Sequence, residues 1–232
     1  MQTNKGGLNL AKKIAALAGV AVLSASASAA SVGVTSYDFY GAYASGFGGW
    51  SNTYSGAVTD LGNGAVNYTG GSGTLNDGVV SSYINGNQLF PLADSSIVLH
   101  LGSTVDVSSI SLFGASGDIA NFIPGTITGV TVTIDGTSVV VPVTSFGPTC
   151  TYGYNGRCDG ELDLSGTGLS NLSTSSITLS DFQGGWSGYA NLTEVTVDGV
   201  SAVPEPQNIA LMLAGVALVG LARRAKRAST QG

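Results

Sequence analysis

The stretch Thr126-Ile127-Thr128-Gly129-Val130-Thr131-Val132-Thr133-Ile134-Asp135-Gly136-Thr137-Ser138-Val139-Val140-Val141-Pro142-Val143 decides the fold class of this chain. After Ile127, the residues Val130, Val132 and Ile134 recur at period two with threonines between them, the pattern of a strand with one buried face. Asp135-Gly136 has hairpin-turn chemistry and leads into a second run, 138–143, that is nearly all valine. Working outward, the runs 31–40, 65–69, 96–101, 108–113, 161–164, 176–182 and 190–197 read as further strands. Gly102 and Gly114 mark the ends of two of them, and Asp198-Gly199 the end of the last. Gly70-Gly71-Ser72-Gly73 reads as a hinge-like turn and Asp77-Gly78 as a tight turn. Residues 41–56 combine Gly and Ser with Tyr43, Phe47, Trp50 and Tyr54. They read either as a loop whose aromatics fold onto the domain or as an exposed aromatic rim. No helical period of useful length occurs between 31 and 202. The expectation is an all-β chain with a single β-sandwich or jelly roll.

Charge separates that domain from its flanks. Of eight Lys and Arg, only Arg157 falls within 31–202, against thirteen acids. A domain this acidic lacks the basic face that nucleic acid requires. Hydroxyls and amides take over solvation from Lys, which suits strands and turns. Cys150 and Cys158, spaced Cys-x7-Cys, are expected to form one disulfide in an exported chain, worth ~2–3 kcal/mol if unstrained. His100 lies inside the strand run Ile97-Val98-Leu99-His100-Leu101 and is assigned no chemistry.

Both flanks are apolar. Lys5, Lys12 and Lys13 precede an apolar run, 14–23, and a small-residue stretch, 24–30, with several Ala-x-Ala frames. This is a secretory signal peptide over residues 1–30, cut by signal peptidase near Ala29 or Ala30. At the other end, Val203-Pro204-Glu205-Pro206 precedes an uncharged run, 209–222, and the cluster Arg223, Arg224, Lys226 and Arg227. A permanent span wants about 20 apolar residues, so this run is marginal as a lasting anchor. It suits brief membrane retention as a transmembrane helix, and the cations fix the cytoplasmic side. A tail anchor or a buried core helix are the plainer alternatives; burial would require four cations to be paired. These elements, in this order, resemble the PEP-CTERM sorting signal of Gram-negative bacteria, here residues 203–232. The resemblance implies processing by an exosortase near the Pro-Glu-Pro motif and delivery to the cell envelope, outer surface or extracellular matrix.

A second resemblance is internal. Leu75-Asn76-Asp77-Gly78, then Leu99-His100-Leu101-Gly102 followed by Val107 to Gly114, then Leu192-Thr193-Glu194-Val195-Thr196-Val197-Asp198-Gly199, are similar in order to the galactose-binding-like, or discoidin-like, jelly roll. The family implies that Asp77 and Glu194 meet where the first and last strands join, where they could hold a structural calcium ion with carbonyls of the 76–80 turn. Otherwise Asp77 caps its own turn and Glu194 faces water. The chain departs from the family in having only Tyr83 as an aromatic after the Asp-Gly turn, and in lacking the usual basic sugar-binding residues. Asp159, Glu161 and Asp163 alternate in or beside a strand; they face solvent or supply oxygens to calcium. No nucleophile–base pair, metal motif or nucleotide loop stands out, so no enzyme is expected. The expected function is that of an exported, non-enzymatic cell-surface or matrix protein. The alternative is a carbohydrate-binding module for exopolysaccharide, with Trp50, Tyr152, Tyr154, Trp186 and Tyr189 as candidate stacking residues.

Overall fold

A computed structural model describes residues 29–43, 52–81, 89, 91–116, 127–145, 156–170, 172–184, 191–201, 213–216 and 218–219. The strands are β1 (Ala30–Val32), β2 (Val34–Tyr43), β3 (Ala57–Gly62), β4 (Ala65–Gly71), β5 (Pro91–Ser116), β6 (Ile127–Ile134), β7 (Thr137–Ser145), β8 (Gly156–Asp163), β9 (Ser173–Gly184) and β10 (Glu194–Ser201). All pairings are antiparallel. The hairpin read at Asp135-Gly136 is present, with Ile134 facing Thr137 and both turn residues at positive φ.

β5 organises the rest. Its first half pairs with β2 and β9, its second half with β8 and β10. Its two halves therefore belong to two layers, with β3-β4-β2 continuing one and β10-β1 the other. β9-β6-β7-β8 connects the layers around the far side. The sandwich follows from the residue pattern. Phe39, Ile97, Leu179 and Val132 lie opposite one another across four strands and are all buried. On the second half Leu162, Ile110 and Val197 do the same. Each such side chain stabilises the fold by about 1.5–3 kcal/mol on leaving water, so neither layer can keep its apolar face exposed.

Several local expectations need correction. The runs 96–101 and 108–113 are one strand, not two. Gly102, Ser103 and Thr104 are exposed and lie where the register against β9 shifts, between His100 and Val105, so the chain bends without breaking off. Further on, Val105 and Val107 are buried at odd positions, then Ile110 and Leu112 at even ones. The change of parity is a bulge opposite Asp198/Gly199, where the Ser108 hydroxyl donates to the Asp198 carbonyl at 3.0 Å. Gly199 is thus a bulge position, and β10 runs on to Ser201. A Cβ on Gly199 would collide with Val105 and the Asp106 carbonyl. Residues 70–73 are no hinge: Gly71 donates its N–H to the Tyr54 hydroxyl at 2.7 Å inside a packed corner. β3 was not foreseen at all.

The sequence signals at the termini fall largely outside the described residues. So do residues 1–28, Val203, Pro204, Glu205, Pro206, Arg223, Arg224, Lys226, Arg227, Cys150, Trp50, Tyr152, Tyr154, Trp186 and Tyr189. Cys158 is described only through its backbone in β8, opposite Gly114. β1 begins at Ala30, the last residue of the expected leader. Residues 213–216 and 218–219 are helical, and Leu213, Val216, Leu218 and Val219 are exposed, which excludes a buried core helix there. Among the described residues no helix is long and apolar enough to cross a membrane.

Candidate functional site

Glu194 on β10 reaches the turn that carries Asp77. The turn after β4 is held by the Gly73 N–H donating to the Asn76 side chain at 2.8 Å, and by the Val195 N–H donating to the Leu75 carbonyl at 2.9 Å. This docks the turn on β10. Glu194 is buried, and its Oε2 accepts the Gly78 N–H at 2.7 Å. Asp77 Oδ1 accepts the Val79 N–H at 2.8 Å, capping its own turn. Burial pushes the Glu194 carboxyl above the usual carboxylate range; the Gly78 N–H opposes this, and the Asp77 charge adds to it. Glu194 therefore does not point to water. The two carboxylates are hard oxygen donors of the kind calcium takes, and the backbone groups that meet them here are the N–H groups of Gly78 and Val79. Among the described residues, no group of three or more His, Cys, Asp or Glu side chains gathers as a metal site, and that includes Asp159, Glu161 and Asp163.

Beside this corner lies an aromatic cluster. The rings of Tyr37 and Tyr54 are 5.1 Å apart, and those of Tyr54 and Tyr68 are 5.0 Å apart. The Tyr54 hydroxyl donates to the Tyr37 carbonyl at 2.6 Å, and Asn52 donates to the Tyr68 hydroxyl at 3.0 Å. Tyr54, part of the segment read as loop or rim, is folded onto the domain. The Tyr37 hydroxyl is fully buried and makes no hydrogen bond of good geometry; burial raises its pKa well beyond the tyrosine range, and the Leu75 backbone beside it opposes that rise.

The lone histidine has a partner. His100 Nε2 lies 2.9 Å from Asp38 Oδ2 across β2 and β5. Both residues point outward, at even positions of runs whose odd positions are buried. That parity, with one acid and one imidazole on neighbouring strands, was the available signal. It was not usable before the pairing of β2 with β5 was known.

The outer surfaces of the two layers differ. Over β2, β5, β9, β6 and β7, one row reads Tyr40, Ser96, Ser180, Thr131, Val140, and the next Asp38, Val98, Thr178, Thr133, Ser138. Over β8, β5 and β10, the rows carry Asp159 and Glu194 about Phe113, and Asp163 and Asp198 about Ser109.

The five candidate stacking residues divide by topology. Tyr152 and Tyr154 lie between β7 and β8, Trp186 and Tyr189 between β9 and β10. β7 and β9 finish on either side of the start of β6, through Gly129 opposite Pro142 and Ile127 opposite Gly184. β8 and β10 start on either side of the end of β5, through Ser116 opposite Gly156 and Phe113 opposite Glu194. The two connections thus share an origin and a destination. Trp50 belongs elsewhere, between Tyr43 at the end of β2 and Asn52 beside Tyr68.

No family model and no curated protein matches this chain. Among solved structures, it is similar to the C-terminal domain of a chitobiase from Bacteroides fragilis, at 18% identity over 75% of this chain and 100% of that one, TM-score 0.39. It is similar to the family 32 CBM of Clostridium perfringens NanJ in complex with galactose, at 17% identity over 54% and 82%, TM-score 0.36. A further CBM32 of Clostridium perfringens, in complex with GalNAc-β-1,3-galactose, is 18% identical over 63% and 93%, TM-score 0.35. At these TM-scores the likeness carries neither fold nor ligand over to this chain.

Proposed function

We propose that this chain is an exported, non-enzymatic protein of a Gram-negative cell surface or extracellular matrix whose β-sandwich contacts carbohydrate. The observation that carries the carbohydrate contact is the shared origin and destination of the two aromatic-bearing connections. The segments that carry Tyr152 and Tyr154, and Trp186 and Tyr189, leave from strand ends beside the start of β6 and return to strand ends beside the end of β5. Aromatic faces stack on sugar rings, and a disulfide between Cys150 and Cys158 would close the first connection into a small ring. Glycan-array binding of the full-length chain tests the reading. Trp186→Ala with Tyr154→Ala is expected to lower binding by about tenfold or more; undiminished binding counts against it.

Export and sorting are supported by the two flanking signals and by the pairing of Ala30 with Gly199, which brings both flanks to one edge of the domain. Signal peptidase and an exosortase are the processing partners, and the apolar 209–222 run is the transient membrane contact. Intact mass of the exported protein is expected to lack both the leader and the Arg-rich tail, and two fewer hydrogens are expected at the cysteines. A full-length species retained in the inner membrane would refute the sorting reading. Calcium, if taken, is held by Asp77 and Glu194 and ties the turn after β4 to the last strand.

A further inference from the structure

We propose that the outer face of β2, β5, β9, β6 and β7 is a second carbohydrate-binding surface, fitted to an extended neutral polysaccharide lying flat on the sheet. It rests on the carbohydrate reading above but assigns a different surface. Five hydrogen-bonded strands spaced about 4.8 Å apart give each of the two rows a length of about 19 Å, and alternate residues along a strand set the rows about 7 Å apart.

The side chains on it are hydroxyls and small apolar groups. Ser96, Thr178, Thr131 and Thr133 lie in its interior, Tyr40 is 40% exposed at one margin, and Val140 is 54% exposed at the other. Neighbouring hydroxyls are already ordered, Thr133 Oγ1 lying 2.8 Å from Ser138 Oγ. The only charge within the two rows is Asp38, which pairs with His100 one step further along β5; Asp135 is exposed in the hairpin turn beyond the second row. Asp94 and Asp181 stand just beyond the rows and are exposed.

The other layer of the same domain is the control. Its outer rows carry Asp159, Asp163 and Asp198, as expected where a domain with thirteen acids and one cation over residues 31–202 relies on charge for solubility. Selection for solubility alone predicts similar charge on both faces. An uncharged, hydroxyl-lined plane with one aromatic margin instead offers hydrogen bonds and a stacking edge to a partner that is itself flat and polyhydroxylated. Asp94 and Asp181 at its border, and the absence of an unpaired cation among its rows, repel uronate or sulfate chains. The ligand class is therefore a neutral glycan.

The test is native affinity electrophoresis of the full-length chain in mild detergent, in gels holding a neutral β-glucan or a polyuronate. Retardation is expected in the neutral gel and not in the polyuronate gel. Thr178→Glu, which places a charge at the centre of the face, is expected to weaken binding about tenfold or more with the thermal midpoint kept. Ser138→Glu at the exposed margin serves the same purpose should Thr178→Glu fail to fold, and Glu161→Gln on the opposite layer should leave retardation unchanged. Wild-type binding by both Thr178→Glu and Ser138→Glu overturns the proposal. If Trp186→Ala then abolishes it, the end-loop reading survives alone. Stronger retardation by polyuronate, or none by any neutral polysaccharide, also overturns it; in the latter case the carbohydrate reading falls as well only if the glycan array is blank.

Discussion

Asp38 and Glu194 make a matched pair with opposite outcomes. Each hangs outward from a strand, and each accepts the N–H of a glycine at positive φ: Gly70 (φ 70) at 2.6 Å and Gly78 (φ 78) at 2.7 Å. A Cβ would strain either glycine, so both carboxylates are tied to backbone that only glycine readily supplies. Burial works against the charge in both. At Asp38 the Gly70 N–H and His100 outweigh it, and the carboxyl is held below the usual range. At Glu194 burial wins and Asp77 adds repulsion, so the carboxyl is held above it. The backbone hydrogen bond is the constant; depth and the sign of the neighbour decide. One carboxylate is offset by a neighbour of opposite character, and the other is buried beside a like charge.

The largest expected effect comes from removing the buried charge of Glu194. Glu194 has a raised folded-state pKa, so its contribution to stability is fully present below the unfolded value and is lost as pH rises through the folded one. At neutral pH, with chelator, Glu194→Gln should stabilise the protein by about 1–3 kcal/mol, about 2–12 °C at this size. Thermal unfolding with and without calcium checks it. If the corner holds calcium, the order reverses: wild type gains midpoint with calcium concentration and Glu194→Gln does not. A wild-type midpoint indifferent to calcium removes the ion from this corner.

Asp38 should behave in the opposite sense and somewhat more weakly. Its depressed pKa means stability present above the unfolded value and lost as pH falls through the folded one. Asp38→Asn keeps the shape but gives up a charge-assisted hydrogen bond, and a loss of about 1–2 kcal/mol is expected near neutrality. The loss should vanish in acid, where wild type is protonated as well. Acid titration of unfolding free energy for wild type and variant checks both statements. Together the two carboxylates predict that, without calcium, stability is highest in the mildly acidic range.

A comparable effect of opposite sign is expected beside the Glu194 corner. The Tyr37 ring is fully buried, and its hydroxyl, beside the Leu75 backbone, makes no hydrogen bond of good geometry. Tyr37→Phe removes a desolvated donor without changing the packed ring, and a gain of about 1 kcal/mol is expected in denaturant unfolding. A loss would mean that the hydroxyl is used.

These sites were unequally legible in the sequence. The β6–β7 hairpin was readable because period two and Asp135-Gly136 are both local signals. The join within β5 was not, because Gly102 ends an apolar run whether the chain stops or only bends there; the bend is fixed by β9 and β10, which are distant in sequence. β3 was invisible since Val58 and Leu61, its aliphatic residues after Ala57, are exposed and give no alternation. The meeting of Asp77 with Glu194 was readable only through the order of three family-like pieces, and its burial was not, because the docking of the turn depends on the Val195–Leu75 backbone bond. The pairing of Asp38 with His100 needed a register, which composition does not supply.

The smallest effect expected is the coupling between Asp38 and His100. The His100 side chain is 38% exposed and Asp38 17%, so water screens the pair. Exposed ion pairs return about 0.2–1 kcal/mol in double-mutant cycles, and a value near the middle of that range is expected from Asp38→Asn, His100→Gln and the double variant. The remaining loss in Asp38→Asn then belongs to the Gly70 N–H, which His100→Gln leaves in place. A coupling well above the range would place His100, and not the glycine, as the main reason that Asp38 and Glu194 titrate in opposite directions.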